Sequence, residues 1–144
     1  MKKLLFLVNP TAGQRKIVRN LAEVIGIFND GGYEVTTYVT AYSGHCIEIV
    51  QDRAADHDIV VCAGGDGTLN ETITGILRSG ADIPIGYIPA GSTNDFAASL
   101  NLPSNVLQAA QAIMEGVPSS YDVGQFGQRY FSYVASFGAF TRVS

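Results

Sequence analysis

The chain has 144 residues, 47% of them hydrophobic and 15% charged, with a formal net charge of −4 at neutral pH. That length suits one ordinary domain with a sizeable core, and the composition excludes a disordered chain. The acidic balance speaks against a dedicated nucleic-acid binder, which is normally basic, so no nucleic-acid partner is expected.

The first apolar run, KKLLFLV (2–8), reads as a buried strand and stops at Asn9-Pro10. It is too short for a secretory leader, despite Lys2 and Lys3, and no run approaches the roughly 20 residues of a transmembrane segment. RKIVRNLAEVIGIFND (15–30) has helical spacing with Gly31-Gly32 as its stop, and YEVTTYV (33–39) is a β-branched and aromatic strand. HCIEIVQDRAAD (45–56) is helical and DIVVCA (58–63) is a strand. TLNETITGILRSG (68–80) predicts a helix and IPIGYIP (83–89) a strand. NDFAASL (94–100) predicts a short helix and SNVLQAAQAIMEG (104–116) a longer one. This β-α-β-α-β-α-β order predicts an α/β fold, a mostly parallel sheet with right-handed crossovers and helices on both faces. Cys46 and Cys62 form no disulfide framework and fit a reduced, cytoplasmic setting, with Cys62 a small core residue.

After Gly116 the alternation ends. YDVGQF (121–126) and RYFSYVASFGAF (129–140) look like two strands joined at Gly127-Gln128, with no helix between them. They predict the opening antiparallel hairpin of a second, largely missing β domain, or else an edge that finishes the first sheet. The expected division is therefore 1–120 for the α/β domain and 121–144 for the hairpin. An unpaired hairpin edge also favours strand-mediated self-association, a homodimer in its simplest form.

Ligands of open parallel sheets bind beyond the carboxyl ends of the strands. Three glycine- or proline-rich loops lie there: N9-P-T-A-G13, G64-G-D-G-T68 and P89-A-G-S-T93. Each runs into a helix with a start signal of capping-box type: Thr11 with Gln14, Thr68 with Glu71, and more loosely Ser92 with Asp95. Glycines let backbone amides approach an anion, and the helix N-terminus adds a partial positive charge. Three such loops on one sheet edge predict a polyphosphate site. It is neither a Walker-type loop nor a dinucleotide fingerprint, because G-x-x-x-x-G-K-[ST] is absent and no G-x-G-x-x-G follows the first strand. Asp66 among phosphates is tolerable if a divalent cation lies between them, so it is the expected Mg²⁺ anchor, directly or through water, with Asp95 and Asp122 as further acidic partners.

Other residues divide between roles. Glu71 is either the capping partner of Thr68 or a nucleotide contact, and Thr40 is either a turn residue or a ligand contact. Asn70, on the first turn of its helix, is expected to touch ligand. His45 is expected at a helix start and His57 in a solvated turn. Arg15, Lys16 and Arg19 form a solvated helix face or neutralise phosphate.

NPTAG (9–13), GGDGTLNE (64–71), PAGSTNDFA (89–97) and YDVG (121–124) together resemble the diacylglycerol kinase catalytic family, which includes bacterial lipid kinases and sphingosine and ceramide kinases. GGDG alone is shared with NAD kinases and phosphofructokinases; TLNE and PAGSTNDFA narrow the resemblance to lipid kinases. It implies a two-domain enzyme with a Rossmann-like, phosphofructokinase-like N-terminal domain and ATP in the cleft before a β-sandwich domain. The implied reaction moves the γ-phosphate of ATP to a lipid hydroxyl such as that of diacylglycerol, with Mg²⁺, at a membrane surface visited transiently. Implied nucleotide contacts are Asn9, Pro10, Thr11, Ala12, Gly13, Thr40, Gly64, Gly65, Asp66, Gly67, Thr68, Leu69, Asn70, Glu71, Gly91 and Ser92. Asp66, Asp95 and Asp122 match acidic positions near metal, phosphates and acceptor. Ser92 stands where the family often has Thr and keeps the hydroxyl. Most of the second domain would be missing, with the family's usual general base and much of the lipid pocket, so the fragment alone is expected to be inactive. The rival expectations are an NAD or sugar kinase and a non-catalytic nucleotide or lipid sensor.

Overall fold

The computed structural model describes residues 1–90, 105–116, 118–122, 134–138 and 140–142, the last three segments through their backbone alone and Gln14 without its side chain. Four strands, β1 (Lys2–Val8), β2 (Tyr33–Val39), β3 (Ile59–Gly64) and β4 (Pro84–Pro89), form an all-parallel sheet core in the order β2-β1-β3-β4. The helices between them are α1 (Lys16–Arg19), α2 (Leu21–Asp30), α3 (His45–Arg53) and α4 (Asp66–Ser79), followed by α5 (Val106–Glu115). No described helix is long and apolar enough to cross a membrane.

The two-residue period of a strand sorts the core onto both sheet faces. Along β1, Leu5 and Leu7 join a buried cluster with Val50 of α3, Leu69 and Ile73 of α4, and Tyr87 of β4. Leu4, Phe6 and Val8 point the other way, into a cluster with Val24 and Phe28 of α2 and Ala109 and Ile113 of α5. Phe6 and Phe28 meet edge to face at 5.3 Å between ring centroids, a favoured aromatic geometry. The sheet is thus apolar on both sides, as the continuous apolar runs of its strands require.

Two expected helices differ in detail. The run 15–30 is not one helix: a 3₁₀ turn (Ala12–Arg15) precedes α1, and the chain breaks at Asn20 before α2. Asn20 causes the break locally. Its side-chain amide donates to the Lys16 carbonyl at 2.9 Å, the acceptor a continuing helix would reserve for its backbone N–H. That N–H turns to the Ile17 carbonyl instead. Conversely, α4 starts at Asp66, two residues ahead of the expected Thr68, with Gly65 as its cap.

Three further strands belong to the same sheet, β5 (Pro118–Asp122), β6 (Val134–Gly138) and β7 (Phe140–Arg142), giving the order β2-β1-β3-β4-β7-β5-β6. β7 runs antiparallel to β4, and β5 pairs antiparallel with β6, placing Asp122 opposite Val134. The turn expected at Gly127-Gln128 lies outside the described residues, so the hairpin is described only through these strand pieces. The short helix expected over 94–100 lies outside them too.

Candidate active site

Parallel register brings the loops after β1, β2 and β3 to one level. Val8 stands beside Val39 on one side and Ala63 on the other. The ladder continues into the loops: Asn9 N–H donates to the Ala63 carbonyl at 3.0 Å, Thr40 N–H to Val8 at 2.8 Å, and Ala90 N–H to Gly64 at 2.8 Å. Between the loops lies a cleft of about 530 Å³, within the range of small-molecule sites. Asn9, Pro10 and Thr11 form one wall, Thr40 to Ser43 with Cys46 a second, and Gly67, Thr68 and Glu71 a third. Ala12 and Gly13 sit just behind the first wall, with Gly13 buried.

The first wall is shaped by Asn9. Its side-chain oxygen accepts from the Thr11 backbone N–H at 3.2 Å and the Thr11 hydroxyl at 3.1 Å, an Asx-type turn. Thr11 therefore makes no side-chain cap, and the expected capping box with Gln14 gives way to this tighter local bond. Gly13 (φ 49°) and Arg15 (φ 64°) then turn through the left-handed region.

The second wall follows β2. Thr40 bonds the Val8 carbonyl through its hydroxyl at 3.3 Å. Tyr42 is 58% exposed and stacks on the His45 ring at 4.4 Å, while its hydroxyl donates to Glu48. His45 does begin α3, and its Nδ1 accepts from the Ala41 N–H at 2.9 Å, so the ring proton sits on Nε2. Cys46 is buried against the Thr72 hydroxyl. Burial pushes its thiol up to about 12, a shift that the Thr72 hydrogen bond opposes and Glu71 reinforces. The thiol stays protonated and is no nucleophile.

The third wall is the start of α4. Gly65 caps this 14-residue helix without a side-chain bond, so the first-turn amides and the positive end of the dipole face the sheet edge. The expected Thr68–Glu71 capping box is replaced. Thr68 is buried, and Glu71 reaches across the cleft floor to accept the Gly44 N–H with both carboxylate oxygens at 3.2 Å. Gly44, at φ 90°, is the left-handed cap of α3, so Glu71 ties the second wall to the third.

The loop's glycines have different reasons. A Cβ on Gly64 would lie 2.4 Å from the Thr68 hydroxyl, so that glycine serves packing. A Cβ on Gly67 would meet nothing within 4 Å, although the residue lines the cleft. Nothing among the described residues accounts for glycine there, in a helical turn where it is unfavourable. Leu69 is fully buried in the core and has no side chain to offer a ligand. Gly64, Gly65, Asp66 and Asn70 lie beside the cleft without lining it.

Asp66 is half-buried in the first turn of α4, and its Oδ1 lies 3.4 Å from the hydroxyl of Tyr87. Gly91, Ser92 and Asp95 lie outside the described residues, as does the side chain of Asp122 at the end of β5. Among the described residues no three carboxylate, histidine or cysteine groups gather into a metal cluster. Sequence reasoning took only Thr40 from the second wall and missed Ala41, Tyr42, Ser43 and Cys46 as cleft residues. It also missed Tyr87, though a tyrosine in a fully buried strand signals a hydroxyl in need of a partner.

The fold and cleft define a doubly wound α/β domain with a polar site at the carboxyl edge of its sheet. The model of the diacylglycerol kinase catalytic domain matches residues 3–126. The chain is 35% identical over its whole length to a diacylglycerol kinase from Bacillus subtilis and covers 48% of that protein. It is 38% identical to one from Staphylococcus carnosus, covering 47% of it. A solved diacylglycerol kinase structure from Bacillus anthracis superposes with a TM-score of 0.73 at 28% identity, over 83% of this chain and 42% of that one. The chain belongs to the diacylglycerol kinase catalytic domain family, and it spans about half the length of the curated relatives it matches.

Proposed function

We propose that the chain is the nucleotide-binding part of an ATP- and Mg²⁺-dependent lipid kinase. The observation that carries this is Gly67: a helical glycine whose missing side chain would meet nothing among the described residues, on the wall of a cleft joined from three loops. A phosphate chain approaching the start of α4 would use that space. Asn9, Thr11, Thr40 and Thr68 would supply polar contacts around the nucleotide, and by the family resemblance Gly91 and Ser92 would contribute further contacts.

A site for magnesium is supported by Asp66, a half-buried carboxylate in the first turn of α4 beside the cleft, since Mg²⁺ takes one or two protein carboxylates and fills its shell with water and phosphate. When bound, the ion would screen phosphate charge against that carboxylate. The protein's own work is positioning: the α4 amides would hold phosphate and the Asn9 turn would close one side. In the transfer, the lipid hydroxyl oxygen bonds to the γ-phosphorus, the bond to the β–γ bridging oxygen breaks, and ADP leaves. The hydroxyl proton would pass to a carboxylate base; Asp95 and Asp122 match the family's acidic positions and are proposed, with Asp66, as the acidic groups of the transfer. Residues 1–120 would form the nucleotide unit and 121–144 would lead into a β unit carrying the lipid pocket. On this view the chain alone binds nucleotide without turning lipid over, and the whole protein works in the cytoplasm and touches the membrane transiently. Self-association through the C-terminal strands is the remaining proposal, and a concentration-independent monomer by light scattering would count against it.

The test is calorimetric titration of Mg-ATP into the chain, wild type and Asp66→Ala, together with an acceptor panel of diacylglycerol, NAD and sugars for the full-length protein. Nucleotide binding by the chain and phosphorylation of lipid alone are expected. Phosphorylation of NAD or a sugar instead, or binding without any transfer, would replace the proposal.

A further inference from the structure

We infer that Tyr87 is a positioning residue for Asp66, its hydroxyl orienting the carboxylate that the proposed transfer uses; the inference rests on that proposal. Tyr87 lies on β4, 1% exposed, in the apolar cluster with Leu5, Cys62, Leu69 and Ile85. An aliphatic side chain would satisfy such a strand position. The phenol instead carries its polar tip through the core to the turn that starts α4.

Two oxygens meet that tip, the Gly64 carbonyl at 3.2 Å and Asp66 Oδ1 at 3.4 Å. One hydroxyl proton serves one acceptor at a time. The Gly64 carbonyl already accepts the Ala90 N–H at 2.8 Å. The proton therefore matters more to the carboxylate, because a hydrogen bond to a charged acceptor is the stronger one. A phenol keeps its proton at neutral pH, and this one is buried, so the hydroxyl remains a donor. The donor is also rigid: it comes from the sheet beneath the turn, and a strand core holds its rotamer more firmly than a loop would.

Phe at this position fills the same space and deletes only the hydroxyl. ATP binding to the 144-residue chain would be measured by calorimetry with Mg²⁺ and with EDTA, for wild type, Tyr87→Phe, Asp66→Asn and the double variant. Tyr87→Phe is expected to weaken Mg-ATP binding roughly three- to tenfold, to leave metal-free ATP binding unchanged, and to add nothing in the Asp66→Asn background. Unaltered Mg-ATP binding would overturn the inference. So would a loss that is equal with and without metal, or one that persists beside Asp66→Asn, since either marks a packing role; a lowered melting point with magnesium preference intact has the same meaning. A wild-type chain that binds ATP no better with magnesium sinks the proposed metal role itself, an outcome read from the wild type alone.

Discussion

The turn after β1 and the turn after β3 look alike in sequence, each a short glycine-bearing stretch with a hydroxyl residue three positions ahead of an acid or amide. Folded, they are different devices. After β3 the chain passes from Gly64 and Gly65 straight into a 14-residue helix, whose amides and dipole are fixed by its length and by packing of its buried face. After β1 it makes an Asx-type turn at Asn9, a 3₁₀ turn, a left-handed Arg15 and a four-residue helix before Asn20 interrupts. The first turn holds a side-chain shape and the second holds a field, so one motif signature covers two physical roles.

The largest test of the field-bearing turn removes its charge. On the proposed function, Asp66→Ala in a protein that carries this chain and transfers phosphate is expected to lower that transfer by about 100-fold or more, the scale of losing a metal anchor. The same variant of this chain should melt close to wild type, because Asp66 is only half-buried in a first helical turn. Retained transfer would remove the residue from the centre of the site.

The next test asks whether α4 is held by packing. Gly75 faces α3 so closely that a Cβ would sit 2.7 Å from the Val50 Cβ and 3.1 Å from the Ile47 carbonyl. Gly75→Ala should destabilise the chain by about 1–3 kcal/mol through overpacking, read as a lower midpoint in urea unfolding. An unchanged midpoint would mean that α3 and α4 can separate without penalty and that the α4 start is less rigid than the β1 turn.

Much of this was legible in the sequence, and the failures have causes. β1 and β2 begin and end where their apolar and β-branched runs do, and α5 ends at Gly116, in the left-handed conformation that glycine adopts readily. The break at Asn20 was hidden because an amide that competes for a carbonyl looks no different from one on a solvated face. Both capping pairs among the described residues failed for a related reason: a hydroxyl and an acid at the right spacing do not say which partner is nearer. Thr11 found Asn9, and Glu71 found the amide of Gly44, 27 positions away. The Glu71 bond and the Tyr87 hydroxyl are tertiary contacts that no local pattern encodes.

A smaller effect separates structural from ligand-driven glycine. Gly67→Ala puts a methyl where no described residue lies within 4 Å and should raise stability by up to about 0.5–1 kcal/mol while weakening ATP binding. Gly26 in α2 is the control, since its Cβ also meets nothing within 4 Å and the residue lies outside the cleft. Gly26→Ala should stabilise by a similar amount and leave ATP binding alone. Equal ATP affinities for both variants would return Gly67 to the status of an ordinary turn residue.

The smallest expected effect belongs to Glu71→Gln. The carboxylate shares one backbone N–H between two oxygens, and glutamine keeps one of those acceptors at the same length. What is lost is the charge, so the change in stability should stay near 0.5 kcal/mol or below, the difference between a charged and a neutral acceptor at a half-buried site. Glu71→Ala removes the acceptor and frees the loop after β2, and should cost about 1 kcal/mol more than Gln. If Glu71 capped α4 as its spacing with Thr68 suggests, Thr68→Ala would reproduce the Glu71→Ala loss and the two together would be less than additive. The geometry predicts additivity instead, because Glu71 is tied to Gly44 and Thr68 fills the space over Gly64. A strong coupling between those two substitutions would restore the capping box and make the turns after β1 and β3 one device after all.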